Sequence, residues 1–208
     1  KRTWEICREN DILYISDEVV TGFGRLGHWF ASEEVFEIIP DMITCAKGLT
    51  SGYLPLGACI ISDRILEIAS QGDEPSAFTN GYTYSAHPVS CAAALKNIEI
   101  FENERILENV RNVSPHFQSR LKDLMKYDIV GDARGMGLLG CIECKAEDLE
   151  AERSLGSKID QACEELGLLV RPLINMAVFS PPLIITIDQI DEMFNILEAA
   201  IIKVENDL

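Results

Sequence analysis

Asp41-Met42-Ile43-Thr44-Cys45-Ala46-Lys47 is a short, mostly apolar run closed by a charged residue. A run of this length bounded by polar residues has the pattern of a buried strand. Upstream, Asp11-Ile12-Leu13-Tyr14-Ile15-Ser16, followed by Asp17, has the same form. About 25 residues link the two, enough for a parallel crossover. Parallel strands would bring Asp17 and Lys47 out at one sheet edge, the edge where open α/β sheets bind ligands. A purely structural Asp–Lys ion pair is the other reading of the spacing. A third run, Gly57 to Ser62, follows after about ten residues, too few for a crossover helix, so antiparallel pairing is expected.

Outward from this core the chain alternates apolar runs with helix-period segments, which argues α/β. Thr3 to Cys7 reads as a helix already under way at Lys1, so we expect a piece of a longer protein; no signal peptide opens it. Asp63 to Ala69 reads as a short helix and Gln71 to Thr79 as a polar loop. His87 to Glu104 reads as a helix, with Pro88 tolerated in its first turn. Near Ile106 the character changes. A long amphipathic helix (Val110, Phe117, Leu121, Leu124) leads to strands at Ile129–Ala133 and Gly137–Cys144. A helix over Leu149–Leu166, strands at Leu168–Pro172 and Ala177–Phe179, and a helix over Asp188–Val204 complete a smaller α+β region.

The charge balance excludes some partners. The 208 residues carry a formal net charge of −16, which repels phosphate backbones and anionic lipid, so neither nucleic acid nor membrane is expected. No stretch approaches the roughly 18 apolar residues of a membrane span. With 47% apolar residues the chain has the material for a packed core. The seven cysteines lie singly in apolar segments, consistent with a reducing, cytoplasmic setting. Cys141-Ile142-Glu143-Cys144 is a CxxC, but in a strand that spacing puts the two thiols on opposite faces. We expect no metal site there.

Four segments carry a resemblance to a known family. Asp17-Glu18-Val19-Val20-Thr21-Gly22-Phe23-Gly24-Arg25 resembles the DEVxxGFGR segment of class III aminotransferases. Pro40 to Leu49 resembles that family's PDxxxxAKGL, and Gly81-Tyr82-Thr83-Tyr84-Ser85-Ala86-His87-Pro88 its G(F/Y)TYSGHP. Phe179-Ser180-Pro181-Pro182-Leu183-Ile184-Ile185-Thr186 is similar to a C-terminal segment of the ω-amino acid–pyruvate branch. The resemblance runs over essentially the whole chain. It implies a pyridoxal 5'-phosphate (PLP)-dependent transferase of fold type I. Residues 1–105 would be the C-terminal part of the large mixed-sheet domain, and 106–208 the small α+β domain.

The resemblance also implies roles. Lys47 would hold PLP as a Schiff base and shuttle protons, tasks that need an amine pKa lowered by its surroundings. Asp17 would pair with the pyridine nitrogen and keep it protonated. Val19 would lie against one ring face, although a plain core valine reads equally well. Glu18 would be either a hydrogen-bonding neighbour of the cofactor or a structural acid. Thr83 would bind the phosphate of the neighbouring subunit's cofactor, which implies a homodimer or a dimer of dimers. Arg171, in Val170-Arg171-Pro172-Leu173, would grip a substrate carboxylate with its planar fork; an exposed strand-end arginine is the alternative. Arg134 and His87 read as structural. The family's phosphate loop and ring-stacking aromatic would lie upstream of Lys1. Two departures stand out: Ala86 replaces a usual Gly, and Ile174-Asn175-Met176 replaces a usual Gly-Asp.

The implied activity is transfer of an amino group from an ω-amino acid or amine donor to a 2-oxo acid, pyruvate, in ping-pong half-reactions. A 4-aminobutyrate or ornithine type using 2-oxoglutarate, or an aminomutase, is the sibling reading. A non-catalytic scaffold of the same fold is the reading from another class.

Overall fold

The computed structural model describes residues 1–71 and 81–208. The expected loop beyond Gln71 lies outside the described residues. Two compact units divide the chain at Leu107/Glu108, against an expected boundary between 105 and 106.

In the N-terminal unit, α1 (Arg2–Glu9) ends in a left-handed turn at Asp11 and leads to β1 (Ile15–Asp17). A short α2 (Ala31–Glu34) precedes β2 (Met42–Cys45), a 3-10 turn at Lys47–Thr50, and β3 (Ala58–Ile61). α3 (Asp63–Ala69) and α4 (Pro88–Asn103) follow. β1 pairs parallel with β2, setting Asp17 opposite Thr44, and β3 pairs antiparallel with β2 as its length of link requires. β1 is shorter than the apolar run from Asp11. The Asp41 carboxylate takes the Tyr14 N–H at 2.8 Å, and Tyr14 O receives the Asp41 N–H at 2.9 Å, so the ladder starts only at Ile15. The strands are also less buried than their composition suggests: every residue of β3 is exposed, as are Ile15 and Asp17 of β1. These two strands are the edges of the three-stranded sheet, with no further strand of the described residues beside them.

Asp41 itself is buried and bonded by Arg8 at 3.4 Å and Arg64 at 3.2 Å, while Arg64 also pairs with Asp11. Burial pushes its carboxyl up, but the Tyr14 N–H and the two guanidinium groups outweigh this and hold it below the usual carboxylate range. One acid thus ties the starts of β1, β2 and α3 together.

The C-terminal unit places α5 (Ile106–Asp123), α6 (Leu149–Glu165) and α7 (Ile187–Asn206) with an antiparallel sheet. Its strands are β4 (Val130–Met136), β5 (Leu139–Cys144), β6 (Arg171–Leu173) and β7 (Met176–Phe179), in the order β4-β5-β7-β6. Phe117, Leu121, Ile142, Ile159, Phe194 and Leu197 are fully buried between them. Phe117 and Phe194 meet edge to face at 5.3 Å. α7 opens with a reciprocal capping box of Thr186 and Gln189, so the Phe179–Thr186 segment delivers a helix start. β6 begins later than the Leu168–Pro172 run suggests, because Gly167 turns left-handed at φ 88 and Leu168 N–H still bonds the helical carbonyl of Cys163. Pro172, lacking an N–H, suits this edge strand. Along β5, Cys141 is half-buried and Cys144 buried on the other face; burial pushes their thiols up, Cys144 to about 11. Among the described residues no His/Cys/Asp/Glu group is arranged to hold a metal, and no helix is long and apolar enough to cross a membrane.

Candidate active site

The parallel pairing of β1 and β2 puts Asp17 and Lys47 at the same end of the sheet. Asp17 is the last residue of its strand, and Lys47 opens the turn two residues after Cys45 ends the other. They do not neutralise each other: no ion pair within 4.0 Å joins them. Asp17 Oδ1 accepts the Val19 N–H at 3.1 Å and the Thr44 hydroxyl at 3.3 Å, while no donor among the described residues bonds Oδ2. The result is a carboxylate fixed at one oxygen and open at the other. Lys47 Nζ likewise has no acceptor among the described residues, and its side chain is exposed. Val19 is half-buried beside this edge in sequence.

Lys47 carries φ 39, in the left-handed region, which for a residue with a Cβ costs on the order of 1–2 kcal/mol. The Gly22-Phe23 segment meets the same turn. A Cβ on Gly48 would stand 2.7 Å from Phe23 Cβ, so only glycine admits this approach, and a Cβ on Gly22 would stand 2.7 Å from Glu18 O. Phe23, itself at φ 55, is buried with Cys45, Leu49 and Ala94, and its ring meets Trp29 and Phe30 edge-on. The two motifs are therefore one interlocked unit around the lysine.

Glu18 is buried and saturated. One oxygen accepts the Ala31 N–H at 2.7 Å and the Thr21 hydroxyl at 2.9 Å; the other accepts the Ser32 N–H at 2.7 Å and the Ser32 hydroxyl at 2.5 Å. It closes the start of α2, and no lone pair is left for a ligand.

Thr83 lies exposed in a turn that precedes α4, in which Ser85 N–H bonds Tyr82 O at 2.9 Å and His87 N–H bonds Tyr84 O at 3.2 Å. Ala86 holds φ 55 there, a left-handed angle that explains why glycine is the usual occupant. His87 is the residue preceding α4, and its ring meets Tyr84 edge-on.

In the C-terminal unit, two arginines contrast. Arg134 bonds Asp132 at 2.7 Å, Glu143 at 2.6 Å and the Met176 sulfur at 3.4 Å, and these acids hold its pKa above the ordinary guanidinium value. Arg171 bonds no acceptor among the described residues. It is the first residue of β6, and it borders an apolar cavity of about 690 Å³ with Val170, Phe179, Pro182, Ile185 and Met193. The turn after β6 places Ile174 at φ 61, in a two-residue hairpin where Leu173 pairs with Met176. A positive φ at the first turn position favours glycine.

Two contributors had no signal as site residues. Asn97 looks like an ordinary helix-surface residue, yet its amide donates to Gly48 O at 2.9 Å and Leu49 O at 3.1 Å, directly after Lys47. Arg64 reads as a surface charge of a short helix, yet it anchors Asp41.

The chain is similar to known proteins over most of its length. Residues 1–201 match the family described as aminotransferase class-III. The putrescine–pyruvate aminotransferase of Pseudomonas aeruginosa is 40% identical over 197 residues, 92% of this chain and 42% of that protein. Gamma aminobutyrate transaminase 3 of Solanum lycopersicum, a chloroplastic protein, is 40% identical over 90% of this chain and 37% of its own length. A PLP-bound amine transaminase from an uncultivated Pseudomonas species superposes with a TM-score of 0.90 at 38% identity, covering 98% of this chain and 47% of that one. The chain thus spans less than half the length of the curated relatives it matches, and its α/β architecture is that of the PLP-dependent transaminases. A family match over nearly every residue, together with 40% identity to these relatives, establishes that the chain belongs to the class-III aminotransferases.

Proposed function

We propose that the protein is a PLP-dependent transaminase that moves an amino group from an ω-amino acid or amine to pyruvate. The observation that carries this reading is the edge where β1 and β2 end together, presenting a half-satisfied carboxylate and an amine that has no acceptor among the described residues. That donor set fits PLP. The open Oδ2 of Asp17 suits a ring N–H, and Lys47 suits an aldehyde. When bound, PLP supplies that aldehyde and an electron-accepting ring. Asp17 then holds the proton on the ring nitrogen, with Thr44 and Val19 N–H orienting its carboxylate. Nζ of Lys47 takes the proton from the carbon that bears the donor's amino group. We assign Val19 to one ring face and Thr83 to the phosphate of a neighbouring subunit's cofactor, and hence a homodimer or a dimer of dimers. Glu18, whose oxygens are both filled by the protein, we assign to the frame of the site rather than to the cofactor.

Residues 1–107 we assign to the large domain's C-terminal part and 108–208 to the small domain. The donor class accommodates both named relatives, one acting on putrescine and one on gamma-aminobutyrate by their names. A cytoplasmic location fits seven free cysteines.

Arg171 supports pyruvate as acceptor, since an arginine without an acid partner among the described residues is available for a carboxylate. Such a charge-assisted bidentate pair contributes on the order of 1.5–3 kcal/mol. In the full-length enzyme, Arg171→Ala should lower kcat/KM of the pyruvate half-reaction by roughly 10- to 150-fold. Single-turnover conversion with an amine that lacks a carboxylate should change far less. Equal losses in both halves would remove the basis for the pyruvate reading.

A further inference from the structure

The turn that presents Lys47 is held from outside by a side chain of α4. Asn97 Nδ2 donates to Gly48 O at 2.9 Å and to Leu49 O at 3.1 Å, the two carbonyls directly after the lysine. Its Oδ1 accepts the Ser51 hydroxyl at 2.7 Å. The orientation of the amide follows from its neighbours: carbonyls only accept, so the NH2 group faces them and the oxygen takes the hydroxyl proton. The turn needs such support. Lys47 and Ser51, at its two ends, both hold left-handed angles, φ 39 and φ 50, and such conformations persist only where surrounding structure over-determines them. At the borders of the turn, Leu49 N–H bonds Ala46 O at 2.9 Å and Ser51 N–H bonds Gly48 O at 3.2 Å. Phe23 packs close to Gly48, but its side chain has no donor for the Gly48 carbonyl and its N–H is taken by Trp29 O at 2.7 Å.

We propose that Asn97, oriented by Ser51, is a positioning residue for Lys47: it fixes the strained turn so that Nζ points where the reaction needs it. This rests on the PLP reading of Lys47. It says nothing of contact with substrate, and Asn97 acts only through the main chain of the turn.

The test uses the full-length enzyme with Asn97→Asp and Ser51→Ala. Aspartate keeps the size of the side chain and its acceptor but cannot donate to either carbonyl. The apo-enzyme is mixed with PLP and the rise of visible absorbance is followed; both half-reactions are then measured per loaded site. A mis-aimed amine should slow PLP capture and both half-reactions together in Asn97→Asp, by about 10- to 100-fold, as expected for a small misplacement of a reacting group. KM for the amine and for pyruvate should stay within about threefold, because substrate contacts are untouched. Ser51→Ala should shift the same rates by a smaller common factor. A purely structural role predicts a lower melting temperature with capture and half-reaction rates per folded, loaded site near wild type, and that result would overturn the proposal. If Asn97→Asp does not fold, Ser51→Ala decides: wild-type rates overturn the proposal and a common slowing supports it. The wild type is the separate control on the underlying reading, since failure of its Lys47 to capture PLP, seen by peptide mapping after borohydride, would overturn both.

Discussion

Among the described residues, the C-terminal unit buries twenty-five apolar residues in one cluster, whereas the cluster that holds the Lys47 turn buries four. Strain is distributed the other way. Of eight non-glycine residues with positive φ among the described residues, seven lie in the N-terminal unit, including Phe23, Lys47, Ser51 and Ala86. One unit spends its sequence on burial, and the other on backbone angles held by polar clamps: Asp41 at the strand starts, Glu18 over α2, Asn97 on the lysine turn. The comparison shows how the work is divided. The groups we assign to every turnover sit where the chain is strained and clamped, and Arg171, which we assign to the substrate carboxylate, sits on the edge strand of a well-packed unit. Strained positions concentrated around a site are what function, rather than stability, would select.

That division has consequences that differ in kind between the units. The largest expected effect belongs to the N-terminal unit. Asp17→Asn replaces the open carboxylate oxygen with a group that cannot hold a ring proton by charge. Both half-reactions should fall by the same factor, at least about 100-fold, with PLP still partly bound. Loss in only one half would break the division, because a group common to both halves cannot affect one alone. Near-normal rates would reduce Asp17 to a member of the hydrogen-bonded frame.

How much of this could be read from the chain follows the same line. The strands at Asp41–Ala46 and Gly57–Ser62 were legible because an apolar run between polar residues has few alternatives, and link length alone set the parallel and antiparallel pairings. That Asp17 and Lys47 come out at one end of the sheet was legible because each terminates such a run; the roles proposed for them came from the resemblance. α7 was legible over Asp188–Val204 from its helical period, and it runs from Ile187 to Asn206, with the Thr186–Gln189 capping box marking its start. What stayed hidden depends on contacts between distant segments. Asn97 lies forty-six residues from Ser51, its hydroxyl partner, and nothing in its helix marks it. The start of β1 at Ile15 depends on Asp41, twenty-seven residues from Tyr14. The saturation of Glu18 required knowing that Ala31 and Ser32 fold back onto it. Ile174 was visible as a departure from the family pattern, but its cost was not, because φ 61 appears only once β6 and β7 pair.

Ile174 gives the smallest expected effect and sharpens the contrast from the other side. A β-branched residue at this angle costs on the order of 1–2 kcal/mol, and glycine returns about 0.4–1 kcal/mol of that to the unfolded chain. Ile174→Gly should therefore raise stability by about 0.5–1 kcal/mol, read from the denaturant midpoint, with both half-reactions unchanged. A fall in stability would mean that the Ile174 side chain contributes more than its backbone costs.

The central claim is that Lys47 is the amine that holds PLP, and peptide mapping tests it directly. Full-length protein is loaded with PLP, reduced with borohydride, digested and analysed by mass spectrometry. The account predicts one phosphopyridoxyl group per chain, on the peptide containing Cys45-Ala46-Lys47-Gly48, and the visible absorbance of the unreduced, PLP-loaded protein should be absent in Lys47→Ala. A label on a different lysine, or a Lys47→Ala protein that keeps the absorbance and both half-reactions, would contradict it.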